Sequence, residues 1–125
     1  MSRLIAIVDD DRSVLKSLQR LLAARSYSTI VFQSGLEFLA SLAETTPDCL
    51  ILDLHMPQMT GIEVQQRLVQ SGKLIPTIII TGRDEEAMRT QCKSAGAVAY
   101  LSKPLRDASL FAAIDAAIGG AVRTP

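Results

Sequence analysis

Apolar residues in this chain fall into short blocks, and the spacing inside the blocks alternates between two periods. Leu4-Ile5-Ala6-Ile7-Val8 is too short for a stable helix and ends in three aspartates, the pattern of a strand covered on both faces. Behind it Val14, Leu15, Leu18, Leu21 and Leu22 recur on one helical face, with Asp11 placed as the N-cap. Ser28–Phe32 is a more polar strand, expected at a sheet edge. Ser34 with Glu37 three residues on has capping-box spacing and opens a helix predicted to run to about Ala43. Cys49-Leu50-Ile51-Leu52 is a second doubly covered run, followed by a loop from Asp53 to Gly61 and a helix ending near Ser71, with Gly72 suited to the left-handed position after it. Thr77-Ile78-Ile79-Ile80-Thr81 has a β-branched residue at every position and is the most strand-like stretch. In residues 83–95 a short helix carries a thin apolar stripe of Ala87, Met88, Cys92 and Ala95. A fifth strand is predicted over residues 98–101, and Leu110, Phe111, Ile114, Ala117 and Ile118 line the last helix.

Five strands alternating with five helices predict an α/β fold with a parallel sheet covered on both faces. At 125 residues, 48% of them apolar, the chain has material for one domain with a sizeable core. Thirteen basic side chains balance thirteen acidic ones, which argues against an extended nucleic-acid footprint or a polybasic membrane surface and makes any electrostatic site local. No apolar run approaches the roughly 18 residues of a membrane span. Two cysteines without a secretory signal read as free thiols in a reducing cytoplasm, where the protein is expected to reside.

In an open parallel sheet, ligands bind at the carboxyl ends of the strands. The first strand runs into Asp9-Asp10-Asp11, the third into Asp53, the fourth into Thr81-Gly82, and the fifth is followed by Lys103-Pro104. Singly each is ordinary: an aspartate after a strand is usually a turn or a cap, as we read Asp11, and Thr-Gly or Lys-Pro usually marks a turn. Together they place polar groups on one edge. With Asp9, Asp10 and Asp53 ionised and only Lys103 opposing them, the crevice holds a surplus of negative charge that a divalent cation would neutralise. Oxygen donors without cysteine or clustered histidine favour Mg²⁺ or Mn²⁺. A carboxylate beside such an ion can attack phosphorus to form an acyl phosphate, the role for which Asp53 is placed. Lys103 can then offset charge on the phosphoryl oxygens, the Thr81 hydroxyl can donate to one of them, and Gly82 leaves space and a free N–H.

The segments Val8-Asp9-Asp10, Leu52-Asp53-Leu54-His55-Met56-Pro57 running on to Gly61, Ile80-Thr81-Gly82, Ala95-Gly96-Ala97 and Tyr100-Leu101-Ser102-Lys103-Pro104 together resemble the receiver domain of two-component response regulators. The chemotaxis regulator typifies that family, and Ile80-Thr81-Gly82 with Gln33-Ser34 is most similar to receivers of the nitrogen-fixation regulator type. The resemblance covers about residues 3–118, so residues 1–118 are assigned to one receiver domain and 119–125 to a linker stub or frayed C-terminus. It implies a flavodoxin-like sheet in strand order 2-1-3-4-5 and a cis Lys103-Pro104 bond. It further implies Mg²⁺ held by Asp10, Asp53 and the backbone carbonyl of His55, with Asp9 acting through water. Asp53 would take its phosphoryl group from a sensor histidine kinase, in a switch that catalyses only its own phosphorylation and dephosphorylation. Thr81 and Tyr100 would form the switch pair, with Tyr100 turning inward as Thr81 is drawn to the phosphoryl group. The face of the fourth helix, fifth strand and fifth helix would pair two receivers or release an output domain, through which alone DNA would be bound to control transcription. A stand-alone receiver acting by protein contact is the alternative.

The sole histidine, His55, and Arg83 stand where the family varies, and are read as a gate and a shield that tune phosphoryl lifetime. Three rivals fit less well. An aspartate-nucleophile phosphatase needs an acid two residues after Asp53, where His55 stands, and a flavin carrier needs a hydroxyl-rich loop where Asp9-Asp10-Asp11 would repel phosphate. A degenerate receiver used only for binding would not keep the acidic set.

Overall fold

The computed structural model describes residues 3–119. In chain order the elements are β1 (Leu4–Val8), α1 (Arg12–Ala23), β2 (Ser28–Phe32), α2 (Gly35–Ser41), β3 (Cys49–Asp53), α3 (Gly61–Gln70), β4 (Thr77–Thr81), α4 (Glu86–Ser94), β5 (Ala97–Ser102) and α5 (Asp107–Ile114). The strands form one parallel sheet in the order β2-β1-β3-β4-β5, with β2 at an edge as its polarity predicts. Beyond Gly119, the expected linker stub lies outside the described residues.

Period-two alternation in the strands divides the core into two layers. Ala6, Val8, Leu50, Leu52 and Ile79 pack against Phe38 of α2, Val64 and Leu68 of α3 and Cys92 of α4. Ile5, Ile7, Ile51, Ile78 and Ile80 face Leu15, Leu18 and Leu22 of α1 and Leu110, Phe111 and Ile114 of α5. The two cysteines fall on opposite sides: Cys49 lies in the α1–α5 layer and Cys92 in the α2–α4 layer, so the sheet separates them and both are free. Burial pushes the Cys49 thiol up to about 12 and raises that of Cys92 as well. The native protein is therefore expected to leave both thiols unreactive towards Ellman's reagent at pH 8 and to expose two on unfolding. Rapid native labelling of either would show that its layer opens without global unfolding.

Local chemistry explains most helix ends. The Asp11 side chain accepts from Ser13 N (2.9 Å) and caps α1, and Gly72 (φ 76°) follows α3 in the left-handed conformation. Three boundaries and one cap differ from expectation. Helix α2 stops at Ser41, because the amides of Ala43 and Glu44 turn back to Ala40 and Ser41 three residues earlier. Ser34 accepts from Glu37 N (3.2 Å), which is half a capping box; the complete box is at Thr60 and Glu63, before α3. Strand β5 is longer than residues 98–101, since a register shift in its pairing with β4 lets Ala97 join and leaves Val98 as an extra, 55% exposed residue. The last helix stays α-helical to Ile114 and continues as a π-helical turn, Asp115–Gly119, that still buries Ala117 and Ile118. On α4, Cys92 is buried and Met88 packs partly against the core, but Ala87 is exposed, so the apolar stripe is thinner than its spacing predicts.

Candidate functional site

Asp9 immediately follows β1, Asp53 ends β3, Thr81 ends β4 and Lys103 immediately follows β5, so the sheet register brings four strand ends to one edge. Val8 pairs with Leu52, Asp53 with Ile80 and Thr81 with Ser102. The Lys103 peptide N–H donates to the Thr81 carbonyl (2.7 Å), fixing the start of the loop after β5, where the Lys103-Pro104 bond is cis. From there the Lys103 Nζ reaches Asp9 Oδ2 (3.0 Å) and Asp53 Oδ1 (3.4 Å). One carboxylate oxygen from each of Asp9, Asp10 and Asp53 lies within 4.8 Å of the others; Asp9 is fully buried, Asp53 is 3% exposed and Asp10 faces solvent.

These positions set the electrostatics. Burial, followed by the neighbouring Asp9 carboxylate, pushes Asp53 up to about 7, with Lys103 working in the other direction. Burial disfavours the charge on Lys103, but its hydrogen bond to Asp9 and the nearby Asp53 outweigh that cost and raise its pKa. Asp11 is separate: hydrogen bonds from the Ser13 hydroxyl and amide hold its carboxyl below the usual range, as befits a cap. The donor set is oxygen only, it carries more negative charge than Lys103 balances, and Asp53 is strained towards protonation. All three properties fit a hard divalent cation.

The backbone carrying Asp53 is braced by α3. The Gly61 amide donates to the Leu54 carbonyl (2.9 Å), and a Cβ at Gly61 would sit 2.7 Å from the Asp53 carbonyl oxygen, so only glycine allows the helix to start this close. The turn before it places Gln58 at φ 70° between Pro57 O and Met59 N (2.7 Å), a γ-turn that keeps the loop short.

His55, Gly82 and Arg83 line the cleft with Asp9, Asp10, Asp53 and Lys103. A Cβ at Gly82 would meet nothing within 4 Å, in keeping with space being left there. Thr81 and Tyr100 are set behind the cleft. Thr81 is fully buried, and its Oγ1 donates to the Arg83 carbonyl (3.0 Å) and accepts from the Arg83 amide (3.1 Å). Tyr100 already points inward among the core residues of the α4 side. Sequence reasoning missed the direct Asp9–Lys103 pair and the Thr60–Glu63 box that starts the bracing helix. The Thr-x-x-Glu spacing was the available signal for the box; for the ion pair, between residues 94 apart, strand-end position set Lys103 against the aspartates without marking Asp9 as its direct partner.

The model of the response regulator receiver domain matches residues 5–115. The chain belongs to the response-regulator receiver family. The receiver is 40% identical over 114 residues to the response regulator protein TodT of Pseudomonas putida, covering 91% of this chain and 50% of TodT. It spans about half the length of the curated relatives it matches. Among solved structures it is similar to FixJ-N (TM-score 0.88, 34% identity, 95% of each chain covered). It is also similar to a response regulator receiver protein from Burkholderia phymatum (TM-score 0.84, 40% identity, 94% of this chain and 96% of that one). The family assignment sets aside the phosphatase and flavin-carrier readings and agrees with the flavodoxin-like strand order. Among the described residues no helix of the receiver is long and apolar enough to cross a membrane.

Proposed function

We propose that this receiver, spanning residues 1–118, takes a phosphoryl group from the phosphohistidine of a sensor kinase onto Asp53 and thereby switches a partner surface. One observation carries the reading: the Lys103 ammonium stands between two buried carboxylates, with a third carboxylate at the mouth, on the edge of the sheet where ligands bind. Asp10, Asp53 and the His55 backbone carbonyl would hold Mg²⁺ or Mn²⁺, with Asp9 acting through water, and the ion would supply positive charge opposite the phosphoryl oxygens. An Asp53 oxygen attacks phosphorus as the P–N bond of the donor breaks; its electron pair stays on the imidazole nitrogen, and an aspartyl phosphate results. Lys103 neutralises charge on the transferred oxygens, and its pairing with Asp9 aims the ammonium there. The Thr81 hydroxyl donates a hydrogen bond to one of these oxygens once it leaves the Arg83 carbonyl. His55 and Arg83 at the rim limit access of water.

Phosphorylation then biases the Thr81–Tyr100 pair and the α4–β5–α5 face, which pairs two receivers or acts on an output domain that controls transcription in the cytoplasm. The length of the curated relatives, about twice this chain, supports such an output part. Acetyl phosphate with Mg²⁺ is expected to add one phosphoryl group, located by peptide mapping at Asp53, and EDTA to prevent it. Modification at another carboxylate, or equal labelling in EDTA, would overturn the assignment.

A further inference from the structure

Tyr100 is 6% exposed, and its hydroxyl is buried without a hydrogen-bond partner among the described residues. An unpaired buried hydroxyl is unfavourable, so the inward ring is held by its packing and its other contacts and not by a hydrogen bond among the described residues. The Arg89 guanidinium carbon lies 4.7 Å from the centre of that ring. The same guanidinium places Nη2 at 2.9 Å from Asp84 Oδ2. Arg89 and Asp84 are both more than a third exposed, so their ion pair contributes little stability by itself; its effect is to fix the guanidinium over the ring. Asp84 follows Arg83, whose amide and carbonyl both bond to Thr81 Oγ1. Contacts therefore run without a gap from Thr81 through the loop after β4 to Arg89 on α4 and Tyr100 on β5.

We propose that Arg89 is the positioning residue that latches Tyr100 inward, with Asp84 as its anchor, so that burial of the tyrosine is set by α4 and not by Thr81 alone. The consequence rests on the reading of Thr81 and Tyr100 as a switch pair. By favouring the inward ring before any phosphoryl group arrives, the latch leaves phosphorylation less of the Thr81–Tyr100 equilibrium to shift, and the affinity for a phosphoryl mimic is less reduced by an outward population. Drawing Thr81 off the Arg83 carbonyl acts on the loop that carries Asp84 and so reaches the latch from its anchor.

The chain has two tyrosines and no tryptophan, so Tyr27→Phe leaves Tyr100 as the reporter. In that background, quenching by acrylamide is unaffected by the loss of a charge. With no phosphoryl donor present, Arg89→Ala is expected to raise the quenching constant about threefold, and Asp84→Asn to raise it less. Arg89→Ala is also expected to weaken binding of beryllium fluoride by about the same factor. Arg89→Gln gives the same reading should the alanine variant unfold. Unchanged quenching in a folded Arg89 variant overturns the latch. Failure of every form, wild type included, to bind beryllium fluoride would instead strike at the phosphoacceptor reading and leave the quenching result standing.

Discussion

Replacing Asp53 with asparagine is expected to abolish phosphoryl labelling and, in the same protein, to raise stability in the absence of divalent ions. The two effects have one origin. The Asp53 carboxylate is buried beside Asp9, which is why its pKa is pushed up to about 7. At pH 8 it is ionised in a place that disfavours charge, and an amide of nearly the same size removes both the proposed nucleophile and the repulsion. The gain is on the order of 2–4 kcal/mol, bounded because Lys103 loses one of its two carboxylate partners and keeps Asp9. Urea unfolding in EDTA at pH 8 measures it. A variant that loses labelling and also loses stability would mean that the Asp53 charge supports the fold, contrary to the electrostatics described above.

Magnesium is expected to stabilise the wild type in a pH-dependent way, because at the proposed site a proton and the ion would compete for Asp53. Its folded pKa of about 7 lies above the ordinary value of 3.8, so between these values the folded state binds more protons than the unfolded state. The stability of the metal-free protein should therefore fall as pH rises from about 4 to about 7 and then level off. The increment from Mg²⁺ runs the opposite way, since below about pH 7 the ion must displace the proton. Saturation at about a hundred times Kd adds about 2.7 kcal/mol, or roughly 10 °C in Tm for a domain of this size. Calorimetry at pH 6 and 8 with and without Mg²⁺ checks both slopes. An equal increment in Asp10→Ala would place the ion elsewhere.

Burial and chain order made much of this molecule legible from its residues. Strands such as Thr77–Thr81 declare themselves because β-branched side chains fill both faces, and the aspartates and lysine at strand ends declare the edge because the topology permits no other meeting place. What escaped was of two kinds. Contacts between distant segments, such as Lys103 on Asp9, depend on side-chain reach that spacing does not encode. Local geometry was also misjudged where tertiary packing decides: Ala87 has the spacing of a core residue yet faces out.

The extra residue at Val98 bears on how copies of this chain can meet. β5 is an open sheet edge, and an unbroken parallel edge would invite another strand to extend the ladder. The bulge breaks the hydrogen-bonding rhythm near the beginning of that strand and turns a bulky side chain outward where a flat approach would need to pass. Strand-to-strand fusion, the route to continuous fibrils, is thereby obstructed at the edge beside the proposed partner face. At that side of the sheet the helix surfaces of the proposed partner face are the easier meeting ground, and contacts between helices would be released again on loss of the proposed phosphoryl group.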